Sequence, residues 1–171
     1  VFAQGKGDAR LLQRNDSWSL FVANVQIENE GVQWALPRLQ LDTAGDALHV
    51  RAGGFALAPL NTILTSQEVV SEALREVFTA LHPRGEVSAL EINIGDINQP
   101  QDDWQIAANF QDLTVDSLRG APGITAATGY TQLDTQGGVV ILDGQSMSLD
   151  FPAVFLEPLH FEDLYGTLHL N

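Results

Sequence analysis

The sequence contains no cysteine, and this absence removes several kinds of chemistry at once. Disulfide bonds, thiolate metal sites and cysteine nucleophiles are excluded, and a chain without thiols suits an oxidising compartment. Long apolar runs are also absent, because stretches such as 139–142 last only a few residues, whereas a membrane-spanning helix needs about 20. There is no signal peptide, and the chain begins with Val1 in what reads as mid-domain sequence. We therefore interpret it as a fragment of a larger protein.

Basic side chains become scarce along the chain. Residues 1–84 carry seven basic and nine acidic side chains, whereas residues 85–171 carry a single basic one, Arg119, and thirteen acidic ones. The whole chain has a formal charge of −14. Nucleic acid is therefore not expected as a partner, because phosphate binding requires a basic surface. An anionic membrane surface would repel the second half of the chain.

Apolar and polar residues alternate along most of the sequence. Period-two alternation is typical of strands with one apolar and one polar face. About ten segments show it, at 18–22, 32–36, 39–41, 48–52, 55–57, 90–94, 104–110, 139–141, 147–151 and 164–170. Turn sequences separate them, at 29–31, 43–46, 98–100, 136–138 and 143–144. Because the connections are short, the pattern predicts antiparallel pairing.

One region has helical rather than strand periodicity. Thr65 and Glu68 have the spacing of a capping box, and Pro83 with Gly85 provides a stop signal. The apolar positions that follow the cap fall on one helical face; they are Val69, Val70, Ala73, Leu74, Val77, Phe78 and Leu81. We predict one substantial helix near residues 66–82, preceded by a short helical turn and packed on or at the end of the sheet.

Residues that could support catalysis or hold a metal are few. The sequence has no phosphate-binding glycine motif and no nucleophile elbow. If the last stretch folded as a hairpin, His160 and His169 could meet beside a carboxylate as a loose metal site. No third ligand has suitable spacing, so we interpret both as strand histidines facing solvent. The sequence predicts no enzyme activity, no cofactor and no metal.

The amount of apolar strand surface raises the question of what covers it. Ten strands with one apolar face need a second layer, and one helix of about four turns is too small to provide it. A sandwich, a closed barrel or an open curved sheet with an apolar concave face all remain compatible with the pattern. The sequence therefore predicts a mainly β fold with one helix (α+β), as a single segment, 1–171. Strands would occupy 1–56 and 86–171, with a helical insert at 57–83.

The order of several short motifs around the helix resembles the YhdP proteins of Gram-negative bacteria, within the AsmA-like superfamily. The resemblance covers most of the chain and is clearest from Leu48 onward. The motifs are Leu57-Ala58-Pro59-Leu60, the helix ending Leu81-His82-Pro83-Arg84-Gly85, the strand 87–94, the strand 104–110, Leu113-Thr114-Val115, Ala121-Pro122-Gly123, Gly137-Gly138 before 139–142, and the closing Leu164-Tyr165-Gly166-Thr167-Leu168. Each is weak alone, and their order carries the resemblance.

The resemblance implies a function that the residue pattern alone does not give. YhdP-like proteins are large, anchored in the inner membrane by an N-terminal helix, and have a long apolar β-groove in the periplasm. They are thought to carry phospholipid between the inner and outer membranes and to support the outer-membrane barrier; they are not enzymes. The chain would then be one periplasmic segment. Its partners would be phospholipid, neighbouring segments of the same chain and other envelope proteins.

Two adjacent strands offer the clearest candidates for a lipid groove. They alternate cleanly and follow the helix directly in sequence; the residues are Leu90, Ile92, Ile94, Ile106, Ala108 and Phe110. The alternative is that they pack beneath the helix as ordinary core. A second alternative for the whole chain is a closed β-sandwich, a structural or interaction module with an acidic protein-binding face.

Overall fold

The computed structural model describes residues 4–29, 31–66, 72–118 and 121–170 as an antiparallel sheet with two helices. The sheet is nearly a pure meander, because strands pair in the order β1-β2-β3-β4-β6-β7-β8-β9-β10 and the short β5 pairs with β6. The strands are β1 (Gln4–Arg14), β2 (Ser17–Asn29), β3 (Val32–Ala44), β4 (Ala47–Gly53), β5 (Phe55–Ala56), β6 (Arg84–Ile94), β7 (Trp104–Val115), β8 (Gly123–Asp134), β9 (Gly137–Asp150) and β10 (Leu159–Leu170). The helices are α1 (Leu57–Ser66) and α2 (Glu72–Leu81).

The sheet stays open within the described part of the chain. β1 and β10 are its two ends and do not pair with each other. Of the three architectures compatible with the sequence, the open sheet is the one observed. The prediction of a mainly β, antiparallel fold is confirmed, and the sandwich alternative is not what the chain forms.

Three two-residue hairpin turns lie at one end of the strands, and both helices lie at the other. The hairpins after β1, β3 and β8 turn within two residues at one end, which we call the turn end. At the opposite end, the helix end, lie both helices and the connections 116–122 and 151–158. The long strands run between these two ends, so each of them has one part near the helices and one part far from them.

The prediction of one substantial helix was overstated. The structure instead has two helices of ten residues each, and residues 67–71 between them lie outside the described residues. Thr65 lies inside α1, so it is not the N-cap of a longer helix, and Glu68 is among the undescribed residues. The reason lies in the apolar spacing of Leu57, Leu60 and Ile63, which gives the first helix its own buried face. Neither helix in the described part of the chain has the length and apolar character needed to cross a bilayer.

Bulges interrupt four strands in the part of each strand that is nearer the helix end. Asn24, Asp112, Ala126 and Ser146 have φ values of 53°, 49°, 56° and 56°, inside β2, β7, β8 and β9 respectively. A bulge adds a residue to one strand, bends it and increases its twist. We call the staggered boundary through these four residues the bulge line. It divides each of these strands into a part toward the turn end and a part toward the helix end.

The buried apolar core lies around the bulge line and toward the helix end, on one face of the sheet. One cluster is built on Phe110, Ala127, Leu142 and Met147, across β7, β8 and β9. A second is built on Leu36, Phe55 and Val87, and α1 contributes Leu57 and Leu60 to it. At the end of α2, the N–H of Asp116 donates to the carbonyl oxygen of Leu81 at 2.8 Å, which ties the helix to the end of β7.

Candidate functional site

Strand pairing assigns every strand residue to one of two faces of the sheet. Directly paired residues point to the same face, and neighbours along a strand point to opposite faces. Ile92 pairs with Val50 on one side and with Ile106 on the other, so all three share a face. We call this face the apolar face. Both core clusters and the apolar side chains of α1 lie on it.

Two rows of apolar residues cross the whole apolar face from one end of the sheet to the other. The outer row, nearer the turn end, consists of Leu11, Leu20, Leu41, Val50, Ile92, Ile106, Leu133, Gly138 and Leu170. The inner row, nearer the bulge line, consists of Ala9, Val22, Leu39, Ala52, Leu90, Ala108, Thr131, Val140 and Leu168. Eight steps between neighbouring strands of about 4.8 Å give each row a length of roughly 38 Å. Thr131 carries the single polar side chain in the two rows.

The two rows are accessible rather than buried. None of their residues is among the buried hydrophobics of the described chain, and the central members are half-buried. Leu11 at one end is 64% exposed, and Leu168 and Leu170 at the other are 49% and 48% exposed. All eight buried hydrophobic residues lie in α1 or on the helix side of the inner row. We therefore distinguish an open half of the apolar face, which contains the two rows, from a packed half, which contains the clusters.

The residues proposed from the sequence all lie on the apolar face. Ile92 and Ile106 are partners in the outer row, and Leu90 and Ala108 are partners in the inner row. Ile94 lies two residues further toward the turn end than Ile92, paired with Trp104. Phe110 lies on the other side, in the packed half, where it is 5% exposed. The structure thus brings the six together on two paired strands, with five in or beside the open rows and Phe110 in the core.

An apolar depression lies where the two halves meet, on strands β6 to β9. It has a volume of about 270 Å³. Val87, Ala108, Phe110, Leu113, Ile124, Ala127, Thr131, Val140 and Leu142 line it. Small side chains on β7 and β8 leave this space, and Phe110 and Leu142 form its buried side. The chemistry of such a lining suits a hydrocarbon and offers almost nothing to a polar ligand.

The opposite face of the sheet carries a polar network over β3, β4 and β6. Gln40 Nε2 donates to Asp42 Oδ2 at 2.8 Å, and His49 Nε2 lies 3.3 Å from Glu91 Oε1. Hydrogen bonding from the Ser19 side chain is the main cause that holds the pKa of the Asp42 carboxyl below its usual value. Burial opposes this, while the Gln40 hydrogen bond and the charges of Arg51 and His49 add to it. This face is therefore a solvated, hydrogen-bonded surface.

The histidines considered for a metal site are far apart. His160 and His169 lie on the single strand β10 rather than on two arms of a hairpin. Nine residues of strand separate them by roughly 30 Å. Within the described ranges, no group of three or more histidine or carboxylate side chains is arranged to hold a metal ion. The sequence was ambiguous here because it did not show whether residues 159–170 turn back.

The sequence pattern missed the two strands that complete the rows. β1 contributes Ala9 and Leu11, and β8 contributes Thr131 and Leu133. Glycine and alanine occupy many positions of both strands, which weakens the apolar alternation. Alternation is visible in part of each, at Ala9 with Leu11 and at Thr131 with Leu133. The sequence did identify the turn that follows β8, at 136–138, although the structure places that turn at residues 135–136.

Comparisons with known proteins agree on one family. A family model described as YhdP protein matches residues 1–171. The chain is also 24% identical over 172 aligned residues to the intermembrane phospholipid transporter YhdP of Escherichia coli (strain K12), an alignment that covers 94% of this chain. It spans only 13% of that relative's length. No solved structure matches the chain.

Proposed function

The chain belongs to the YhdP protein family, and on this premise we propose that it is one segment of a periplasmic β-groove that shields phospholipid acyl chains. The groove would carry lipid between the inner and outer membranes and so support the outer-membrane barrier. The related Escherichia coli protein is described as an intermembrane phospholipid transporter. Because the chain corresponds to about an eighth of that relative, the segment acts as part of a longer, inner-membrane-anchored protein.

The observation that carries this proposal is the pair of accessible apolar rows. A buried methylene group of a lipid gains about 0.8 kcal/mol relative to water. A surface that is apolar across every strand gives an acyl chain this gain at each position along roughly 38 Å of sheet. A lipid can therefore move from strand to strand without exposing its chains to water at any step.

The absence of a deep pocket in the rows fits transport better than storage. The side chains of the two rows are half-buried in the middle of the sheet and exposed at its ends, so each position offers only a modest contact. A single tight site would trap the cargo, because the lipid must leave as readily as it enters. The row residues Leu90, Ile92, Ile106 and Ala108 and the flanking Ile94 would contact lipid, and Phe110 would form the buried floor beside them.

The two edges of the sheet suit continuation into neighbouring segments. β1 and β10 are 11 and 12 residues long, and within the described chain neither pairs on its outer side. Long unpaired edges with exposed apolar side chains are prone to pair with further strands. The rows end at these edges with exposed Leu11 and Leu168. Neighbouring segments of the same longer chain are the partners that would extend both the sheet and the rows, and other envelope proteins are further candidates.

A charge placed in the rows tests this function. We expect Ile106→Asp to leave the fold intact, because the side chain is only half-buried and the carboxylate can reach water, but to abolish retention of phosphatidylcholine. Asn109→Asp is the matched control, since it adds the same charge to the same strand at an exposed position on the polar face. Circular dichroism melting of the chain reports the fold, and mass spectrometry of retained lipid reports binding.

The same pair of substitutions in the longer protein extends the test to transport. Ile106→Asp is expected to impair the outer-membrane barrier, and Asn109→Asp to leave it unchanged. A folded Ile106→Asp chain that still retains lipid and supports a normal barrier would contradict the groove. Unfolding by Ile106→Asp would instead assign Ile106 to the core and contradict its place in the open half.

A further inference from the structure

A third row of the apolar face lies between the outer row and the turn end, and it contains two tryptophans. Ile94 pairs with Trp104 on one side and with Leu48 on the other, and Leu48 pairs with Thr43. Trp18 completes the row, because it lies two residues before Leu20 of the outer row on the same strand, and its backbone N–H donates to Thr43 Oγ1 at 3.1 Å. We call these five residues the tryptophan row; it crosses β2, β3, β4, β6 and β7.

The tryptophan row marks a boundary between two kinds of surface. On one side is the outer row, which is apolar from strand to strand. On the other side are the polar connections of the turn end, at residues 15–16, 45–46, 95–103 and 135–136. An indole ring has an apolar body and a polar N–H, so it is favoured where hydrocarbon meets a polar, hydrated region. Trp18 is 37% exposed, which fits this position.

The third tryptophan of the chain has a different role. Trp34 lies in the packed half, where its ring meets Phe55 edge-on with centroids 6.1 Å apart. Its Nε1–H donates to the carbonyl oxygen of Ala56 at 3.1 Å. Trp34 therefore packs in the core at the helix end, whereas Trp18 and Trp104 lie at the opposite boundary of the open half.

The height of the open half matches the depth of one lipid leaflet. Four residues of strand separate the tryptophan row from the inner row, for example Trp104 from Ala108, which is about 14 Å at ~3.4 Å per residue. The hydrocarbon of one leaflet is about 15 Å deep, half of a typical bilayer core. Beyond the inner row, the bulge line and the packed half close the surface. Hydrocarbon therefore fits between the packed half and the tryptophan row, and a polar group fits only at the turn end.

We propose that Trp18 and Trp104 are positioning residues that set the orientation of the bound lipid. The junction between headgroup and acyl chains lies at the tryptophan row, the headgroup projects over the turn end, and the chains lie across the outer and inner rows toward the bulge line. This inference rests on the proposed lipid-binding function and adds the direction in which the lipid lies. In this orientation the headgroup lies over the turn end, where it stays in contact with water.

Depth-dependent fluorescence quenching tests the orientation. The probes are two phosphatidylcholines that carry a nitroxide either near the acyl carbonyl or at the methyl end of the chain. The wild-type chain is compared with the double variant Trp18→Phe/Trp104→Phe, which retains Trp34, so that the difference between them reports the tryptophan row. The single variants Trp18→Phe and Trp104→Phe then separate the two contributions. Retention of each lipid is measured in the same samples by mass spectrometry.

The expected result is a quenching profile with a fixed direction. The label near the carbonyl should quench the tryptophan-row emission about twofold more than the methyl-end label, because ~14 Å of strand separates the two levels. Trp34 emission should not share this preference. Equal or reversed quenching of the tryptophan row by a retained lipid overturns the orientation while leaving the lipid-binding function standing. If neither lipid is retained, the proposed function itself fails and the orientation fails with it.

Discussion

The packed half and the open half of the apolar face are formed by the same strands and the same alternation, but only one of them buries its side chains. On β7, Phe110 is 5% exposed, while Ala108 and Ile106, two and four residues away on the same face, are half-buried. On β9, Leu142 is 3% exposed and Val140 is half-buried. Apolar alternation therefore specifies which face a residue occupies, and a separate set of features decides whether that face is covered.

Those features are concentrated at the helix end. Leu57 and Leu60 of α1 pack onto the cluster of Leu36, Phe55 and Val87. Further along the sheet, Phe110, Leu142 and Met147 pack around Ala127, which is completely buried. The fold is stabilised mainly in the packed half, which leaves the open half available to interact with something outside the chain.

Matched leucine truncations give the largest expected difference between the halves. Leu142→Ala should lower the free energy of unfolding by ~2–5 kcal/mol, because it leaves a cavity in a closed cluster. Leu133→Ala, in the outer row of the adjacent strand, should cost about 1 kcal/mol, because its side chain is already partly in water. Urea denaturation monitored by circular dichroism measures both. Similar losses for the two leucines would show that the halves are equally packed.

Two glycines on the apolar face provide a smaller and more local comparison. A Cβ at Gly129 would lie 2.0 Å from the backbone oxygen of Ile141, so the strands would have to shift, and Gly129→Ala should cost about 1–3 kcal/mol. A Cβ at Gly166 on β10 meets nothing within 4 Å. Gly166→Ala should therefore be neutral, or stabilising by up to ~1 kcal/mol through the unfolded chain. Thermal melting of the two variants separates these outcomes, and a destabilised Gly166→Ala would indicate that β10 is more closely covered than the structure shows.

Strands with large side chains on the apolar face were easier to predict from the sequence than strands with small ones. β6 and β7 alternate large residues cleanly and were identified with their shared face. β9 was predicted as two strands with a turn at Asp143-Gly144, but it continues as one strand, because the irregularity at Ser146 is absorbed as a bulge. A bulge and a turn have similar local chemistry, and only pairing with β8 and β10 distinguishes them.

The sequence predicted the open half only in part, because the local pattern does not show which residues become covered. Alternation identified Leu90, Ile92, Ile94, Ile106, Ala108 and Phe110 as sharing a face, but cover depends on contacts between residues distant in sequence. Phe110 is buried because β8 and β9 bring Ala127 and Leu142 against it. The helix prediction overestimated one element, because Thr65 lies inside the first helix rather than at the start of a longer one. Each error arose where non-local packing, rather than the local pattern, decided the outcome.

Cysteine footprinting tests most directly whether the open half shields lipid. The chain has no native cysteine, so Ile92→Cys reports the outer row and Asn109→Cys reports the polar face, each against a clean background. With phosphatidylcholine at about tenfold above its dissociation constant, maleimide labelling of Ile92→Cys should slow about tenfold, since occupancy protects in proportion to ligand excess. Labelling of Asn109→Cys should stay unchanged. Equal labelling of Ile92→Cys with and without bound lipid would contradict the account.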